Sequence, residues 1–213
     1  MTGKFFFVDQ NKEKFKKCFY YYLNYKKDQK HDRVIFIFDK KKLIYNDVRK
    51  FGFIKCYINN AFEKNTHFKN LGPEPLSKQF NKKYLKNYIS GRRRVVKSIL
   101  MDQKCVSGLG NIYVNEILFK SAIKPLRQVS KLKNYEINKI ILNTKKILKK
   151  SIKFGGSSIK DFSSTDGKKG QFQQKFKVYN KKGEICSNID CNKTIIRTIV
   201  SNRSSFFCPK CQK

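Results

Sequence analysis

The chain has 213 residues, 39% hydrophobic and 14% aromatic, which allows one or two modest cores and argues against a disordered chain. Its 49 Lys and Arg stand against 15 Asp and Glu, a formal charge of +34 that points to a polyanion, nucleic acid before an anionic membrane. AT-rich codons inflate Lys, Asn, Ile, Phe and Tyr together, but Glu shares such a codon and stays scarce, so codon bias alone does not explain the imbalance. No stretch reaches about 18 consecutive apolar residues, so no membrane span is expected.

The first part reads as β. Phe5 to Val8 is a short apolar run, and Arg33 to Asp47 predicts two strands around an Asp39–Lys42 turn. Phe51 to Ile58 is a third strand candidate. The basic, aromatic stretch from Asn11 to Asp32 supports no assignment. Leu71 to Ser77 carries two prolines and reads as a linker.

The chain then turns helical. Tyr84, Leu85, Tyr88 and Ile89 give helical spacing to Lys82–Ser90, and Arg92–Met101 is a basic helix candidate with Val95, Val96, Ile99 and Leu100 on one side. A glycine-flanked turn, VSGLGN, precedes a helix from Asn111. The longest helix is expected over Lys133 to Phe154, with a buried stripe of Ile137, Ile140, Ile141, Ile147, Leu148 and Ile152 and an end at Gly155–Gly156. Its outer face carries Lys139, Lys145, Lys146, Lys149 and Lys150, a set that suits either solvent or an anion. Ser157 to Gly170 is a polar loop, and Val178 to Ile185 leads into the C-terminal segment.

The last 28 residues hold Cys186, Cys191, Cys208 and Cys211 in the pattern C-x4-C-x16-C-x2-C. Two close thiol pairs joined by a β-hairpin supply the tetrahedron that a structural zinc ion needs, and NKTIIRTIVSNRSSFF between them suits two strands around a turn. Disulfides are the alternative. The C-x2-C spacing, an odd total of 7 cysteines and the lack of a signal-peptide pattern favour metal in a reduced, cytoplasmic compartment. Cys18, Cys56 and Cys105 read as core residues. Strands, then helices, then a cysteine hairpin make the fold class α+β.

Several stretches together resemble the formamidopyrimidine-DNA glycosylase family: Asp102–Phe119, Gly155–Phe172, Lys177–Cys186 and Asn202–Lys213, with Met1–Gly3, Lys30–Asp32, Asn46–Gly52 and Leu71–Ser77 in the same order. The resemblance implies a partial N-terminal β-sandwich (1–70), a linker (71–81), a helix–two-turns–helix domain with a lesion loop (82–175) and a four-cysteine zinc hairpin (176–213). It implies a monomeric base-excision repair glycosylase and AP lyase acting on oxidised purines in damaged double-stranded DNA. Such an enzyme extrudes the lesion and fills the gap. Met1, Arg49 and Phe51 match the family's two apolar wedges and the arginine that faces the orphaned base. Asn111 matches a phosphate-contacting asparagine, and His31, Arg92 and Lys104 match positions at or beside the DNA backbone. Arg203 matches an arginine that grips phosphate and has a proton-donor role in δ-elimination. Ser157–Phe172 matches the loop over the extruded purine, with a length that favours the oxidised-purine branch over the oxidised-pyrimidine one.

The resemblance departs at the front. Family members use an N-terminal proline amine followed by a glutamate, with an assisting lysine further along, and Met1-Thr2-Gly3 matches an internal strand end instead. The expectation is a chain shortened by about its first quarter, which binds damaged DNA without excising the base. A non-catalytic damaged-DNA-binding module is the second reading, and a basic zinc protein of RNA the third.

Overall fold

The computed structural model describes residues 3–9, 29–57, 66–157 and 170–213. The chain divides into two compact units, Met1–Cys56 with Ser151–Lys175, and Tyr57–Lys150 with Phe176–Lys213. Met1, Cys18, the stretch 10–28 and most of the 157–170 loop lie outside the described residues.

In the first unit, β1 (Lys4–Asp9), β2 (Asp32–Ile37) and β3 (Lys41–Asn46) form an antiparallel sheet in the order β1–β3–β2. The expected hairpin is present: Phe38 and Lys41 close it with reciprocal backbone bonds of 2.8 and 3.3 Å. Ile44 is buried at the centre of β3, opposite Phe6 on one side and Ile35 on the other. β2 is an edge strand, and Val34 to Ile37 along it are all exposed.

The third strand expected from Phe51 does not form over 51–57. Asp47 explains where the backbone goes instead. Its carboxylate accepts the N–H of Arg49 at 3.1 Å and of Gly52 at 2.8 Å, so a side chain, not a ladder, takes those donors. Phe51 and Phe53 are left exposed, as is Cys56, which is therefore no core residue.

In the second unit the helices are α1 (Thr66–Lys69), α2 (Lys82–Ile89), α3 (Val96–Leu100), α4 (Asn111–Lys120) and α5 (Asn134–Lys153), the last belonging to this unit through Lys150. Asn81 caps α2, its Oδ1 accepting the Tyr84 N–H at 2.9 Å. The helix expected over Arg92–Met101 begins only at Val96. Its first residues are captured by an antiparallel bridge between Val95 and Gln128, with Val96 donating to the Arg127 carbonyl and Val129 to that of Arg94. Leu71–Ser77 is strapped to the 102–107 turn: Gly72 donates to the Gln103 carbonyl and Ser107 to that of Pro73. A Cβ on Gly72 would meet the Cys105 backbone at 2.5 Å, so only glycine fits.

α5 buries Ile137, Ile140, Ile141 and Ile147 as its spacing predicts, but Ile152 is 65% exposed. Ser151 is the buried residue of that last turn, and its carbonyl takes the N–H of Gly156. Gly155 and Gly156, both at positive φ, end the helix. Within the first unit, a bridge between Ser157 and Gln171 brings the ends of the intervening loop together.

β4 (Ile196–Val200) and β5 (Arg203–Phe207) form the C-terminal hairpin, with Val200 paired to Arg203. Ser201 and Asn202 both have positive φ, the signature of a two-residue type I′ turn. Phe206 and Ile195 of this segment share a buried cluster with Phe119 of α4, Val178 and the cysteines.

Candidate metal centre and nucleic-acid interface

The four Sγ atoms of Cys186, Cys191, Cys208 and Cys211 lie within 4.8 Å of one another. Cys186 and Cys211 are 3.9 Å apart, Cys191 and Cys208 3.6 Å. These separations are too long for disulfides and bracket the ~3.8 Å edge of a tetrahedron with ~2.3 Å zinc–sulfur bonds. The donor set therefore fits one zinc ion. Cys186 donates its N–H to the Lys193 carbonyl, which folds the first thiol pair back as a loop, and Cys211 directs its N–H at the Cys208 sulfur at 3.5 Å. Four thiolates leave no position for water, so a zinc ion held here would support structure and do no chemistry. Gln212, fully buried, fixes the second pair to the rest of the unit. It accepts from the Cys208 N–H at 3.0 Å and donates to the Ile123 carbonyl at 2.7 Å.

The hairpin tip meets the ends of two helices. Asn111 Nδ2 donates to the Ser204 carbonyl at 3.1 Å, and Lys97 Nζ donates to the same carbonyl at 2.8 Å and to Ser205 Oγ at 2.6 Å. Ser98 Oγ lies 2.6 Å from Ser201 Oγ across the turn. Arg203, exposed on the strand between, shares a cleft of about 360 Å³ with Arg94, Lys97, Ser98, Met101, Asp102 and Ser201. Lys97 is buried, which pushes its ammonium down to about 8, with the nearby Arg203 charge adding to the shift.

Burial alone would raise the Asp102 carboxyl. The hydrogen bond from Arg94 at 2.8 Å and the N–H of Lys104 at 3.1 Å outweigh it and hold the group below its usual range. No side chain caps the N-terminus of α4 at Gly110. That helix end presents backbone N–H groups and a positive dipole beside Asn111, the arrangement that suits a phosphate.

Two more predicted residues flank this surface. Arg92 is exposed, its Nε donating to the Tyr88 carbonyl at 2.6 Å and its guanidinium 4.4 Å from the Tyr88 ring. Lys104 is exposed on the turn after α3. The structure thus brings Asn111 and Arg203 together through Ser204. It adds Lys97 and Asn115, which the sequence motifs did not single out. The available signal was polarity within apolar runs: Lys97 interrupts VVKSIL, and Asn115 sits inside NIYVNEILF.

In the first unit, Arg49 and Phe51 are joined, the guanidinium 4.9 Å from the ring centroid. Both are exposed, on the loop that the Asp47 carboxylate shapes. His31 lies near the same loop: its carbonyl accepts the Asp47 N–H at 3.0 Å, and its Nδ1 is 3.5 Å from Arg33.

Residues 71–163 match the family model of the formamidopyrimidine-DNA glycosylase H2TH domain. A formamidopyrimidine-DNA glycosylase of Rhodopseudomonas palustris is 38% identical over 220 residues, covering 100% of this chain and 74% of the relative. One of Dinoroseobacter shibae is 39% identical over 186 residues, 87% of this chain and 66% of the relative, so the chain spans about two thirds of that protein's length. Among solved structures, a Lactococcus lactis Fpg in complex with abasic-site DNA superposes with a TM-score of 0.82 at 33% identity, covering 100% of this chain and 72% of that one. A MutM in complex with DNA containing carbocyclic 8-oxo-G gives 0.81 at 32% identity, with the same coverage.

Proposed function

The chain belongs to the formamidopyrimidine-DNA glycosylase family, and from that premise we propose that it grips damaged duplex DNA in base-excision repair, with oxidised purines as the lesion class. The observation that carries the reading is the joint hold of Asn111 and Lys97 on the Ser204 carbonyl, which sets Arg203 beside an uncapped helix N-terminus. The exposed Arg203 guanidinium and a set of oriented N–H groups on one surface suit adjacent phosphates, and a zinc ion at the four thiols would hold the hairpin that presents Arg203.

On this reading residues 82–175 and 176–213 are the helix–two-turns–helix and zinc modules, and His31, Arg92 and Lys104 add contacts along the backbone. The stacked pair Arg49 and Phe51, with Met1, serves the gap left by an extruded base. The four-thiolate site suits a reducing compartment, the cytoplasm.

Excision itself needs an amine that attacks the sugar's anomeric carbon and forms a Schiff base. No residue of these 213 matches the family's proline and glutamate, so a polypeptide of this sequence alone is expected to bind without excising. Borohydride trapping on an oxidised-purine duplex tests this. The expected result is no covalent adduct, and trapping at the rate of a family enzyme would overturn it.

A further inference from the structure

The C-terminal end of α4 lies nine residues from Asn111, about 14 Å along the axis at ~1.5 Å per residue. A second basic surface is built there. Asn143 of α5 donates to Ser121 Oγ at 3.1 Å, which fixes one flank of α5 against the end of α4. Lys139, Lys146 and Lys150 stand four before, three after and seven after Asn143, so helical periodicity places all three on that flank. Lys120, the last residue of α4, adjoins Ser121, and all four lysines are exposed. Lys146 and Lys150 are felt at Lys120, whose ammonium is lowered first by burial and then by those two charges.

No carboxylate of these two helices offsets the cluster. From Ile117 to Ser157 the only acidic residue is Glu136. Its oxygens accept from Arg127 at 2.6 and 3.0 Å and from the Lys133 N–H at 2.7 Å. Glu116 of α4 is buried and accepts the N–H groups of Lys177, Val178 and Tyr179. Like charges at these spacings weaken a helix, and a bound polyanion relieves that repulsion.

We propose that Lys120, Lys139, Lys146 and Lys150 form a second polyanion-binding surface, which takes the sugar–phosphate backbone of a nucleic-acid duplex at the end of α4 away from Asn111. Lysines on flexible stems hold a backbone without reading bases, so the contact is independent of sequence. A membrane is less suited. α5 turns Ile137, Ile140, Ile141 and Ile147 inward, and its exposed apolar residues, Tyr135, Leu142 and Ile152, form no broad insertable face. The proposal stands apart from the Asn111–Arg203 reading.

The test uses the zinc-loaded 213-residue chain and the triple variant Lys120→Gln, Lys146→Gln, Lys150→Gln. A donor-labelled abasic-analogue duplex occupies the first site and an acceptor-labelled intact duplex is titrated in. Energy transfer is expected with the parent chain and lost in the variant, at unchanged affinity for the abasic duplex. The salt slope for intact duplex should flatten by about 2.7 if three phosphates are released at ~0.9 each. Equal slopes for parent and variant, with an unaltered circular dichroism spectrum, would overturn the proposal. So would triple-sensitive binding to phosphatidylserine vesicles with unchanged duplex slopes, which assigns the surface to membrane. Parent affinity for the abasic duplex in both Arg203→Ala and Asn111→Ala, with the slope difference intact, would sink the first site's reading and leave this one standing.

Discussion

Asn115 and Phe206 are joined by a 2.7 Å hydrogen bond, the Phe206 N–H donating to the Asn115 Oδ1. The Asn115 amide is fully buried and donates in turn to the Asn111 carbonyl, also at 2.7 Å. One side chain thus ties α4 to β5 three residues past Arg203. Asn115→Leu leaves a buried N–H without its acceptor, a loss of about 1–3 kcal/mol. Urea unfolding should show it, with weaker duplex binding, while Asn115→Asp keeps the acceptor and part of the stability. An unchanged unfolding midpoint in the Leu variant would show that this tie does not position the hairpin.

Lys97 makes stability depend on pH in an uncommon direction. Its ammonium titrates at about 8 in the folded chain against 10.5 normally, because burial and then Arg203 disfavour the charge. Between those values the unfolded chain binds more protons, so Lys97's contribution to stability rises with pH from about 8 to 10.5 and is flat below that window. Urea midpoints for the parent chain and Lys97→Met across that range isolate the effect. Parallel pH profiles for the two would contradict the assignment.

Cys186, Cys191, Cys208 and Cys211 should together hold one zinc ion. Metal analysis should find one zinc per chain. Cys208→Ser with Cys211→Ser should lose it, and stripping with a chelator should make the segment 176–213 sensitive to protease, since its hairpin shares a core with the ligands. Full zinc retention in the double variant would disprove the ligand set.

The hairpins and the long helix were legible in sequence because their signals are local. Ser-Asn-Arg-Ser at 201–204, between β-branched and aromatic runs, marks a turn, and isoleucines at helical spacing mark the buried side of α5 up to Ile147. Local pattern and structure part where tertiary partners decide. Val95 reads as helical but pairs with Gln128, and Phe51–Ile58 reads as a strand, but over 51–57 none forms and the Gly52 N–H goes to the Asp47 carboxylate. The cysteine site is legible from thiol spacing and the odd cysteine total. The roles proposed for Asn111, Arg203 and Arg49 rest on family resemblance, since each would otherwise pass for a turn or surface residue. Lys97 and Asn115 act across more than ninety residues of sequence, a relation no local pattern encodes.

Arg49 should matter for lesion preference and little for general affinity. Its guanidinium is held at 4.9 Å from the Phe51 ring, on an exposed loop suited to meet an unpaired base. Arg49→Ala should reduce the ratio of abasic to intact duplex affinity, read by competition binding. Equal losses on both duplexes would place Arg49 on the backbone instead.

The central claim is that the hairpin tip and the α4 N-terminus hold DNA through phosphates. Fluorescence anisotropy of the zinc-loaded chain on abasic and intact duplexes across a salt series tests it most directly. If about six phosphates are neutralised, log K should fall with log salt at a slope near −5. Arg203→Ala and Asn111→Ala should weaken both duplexes alike, with Arg203→Ala flattening the slope by about one. Salt-independent binding, or parent affinity in both variants, would contradict the account.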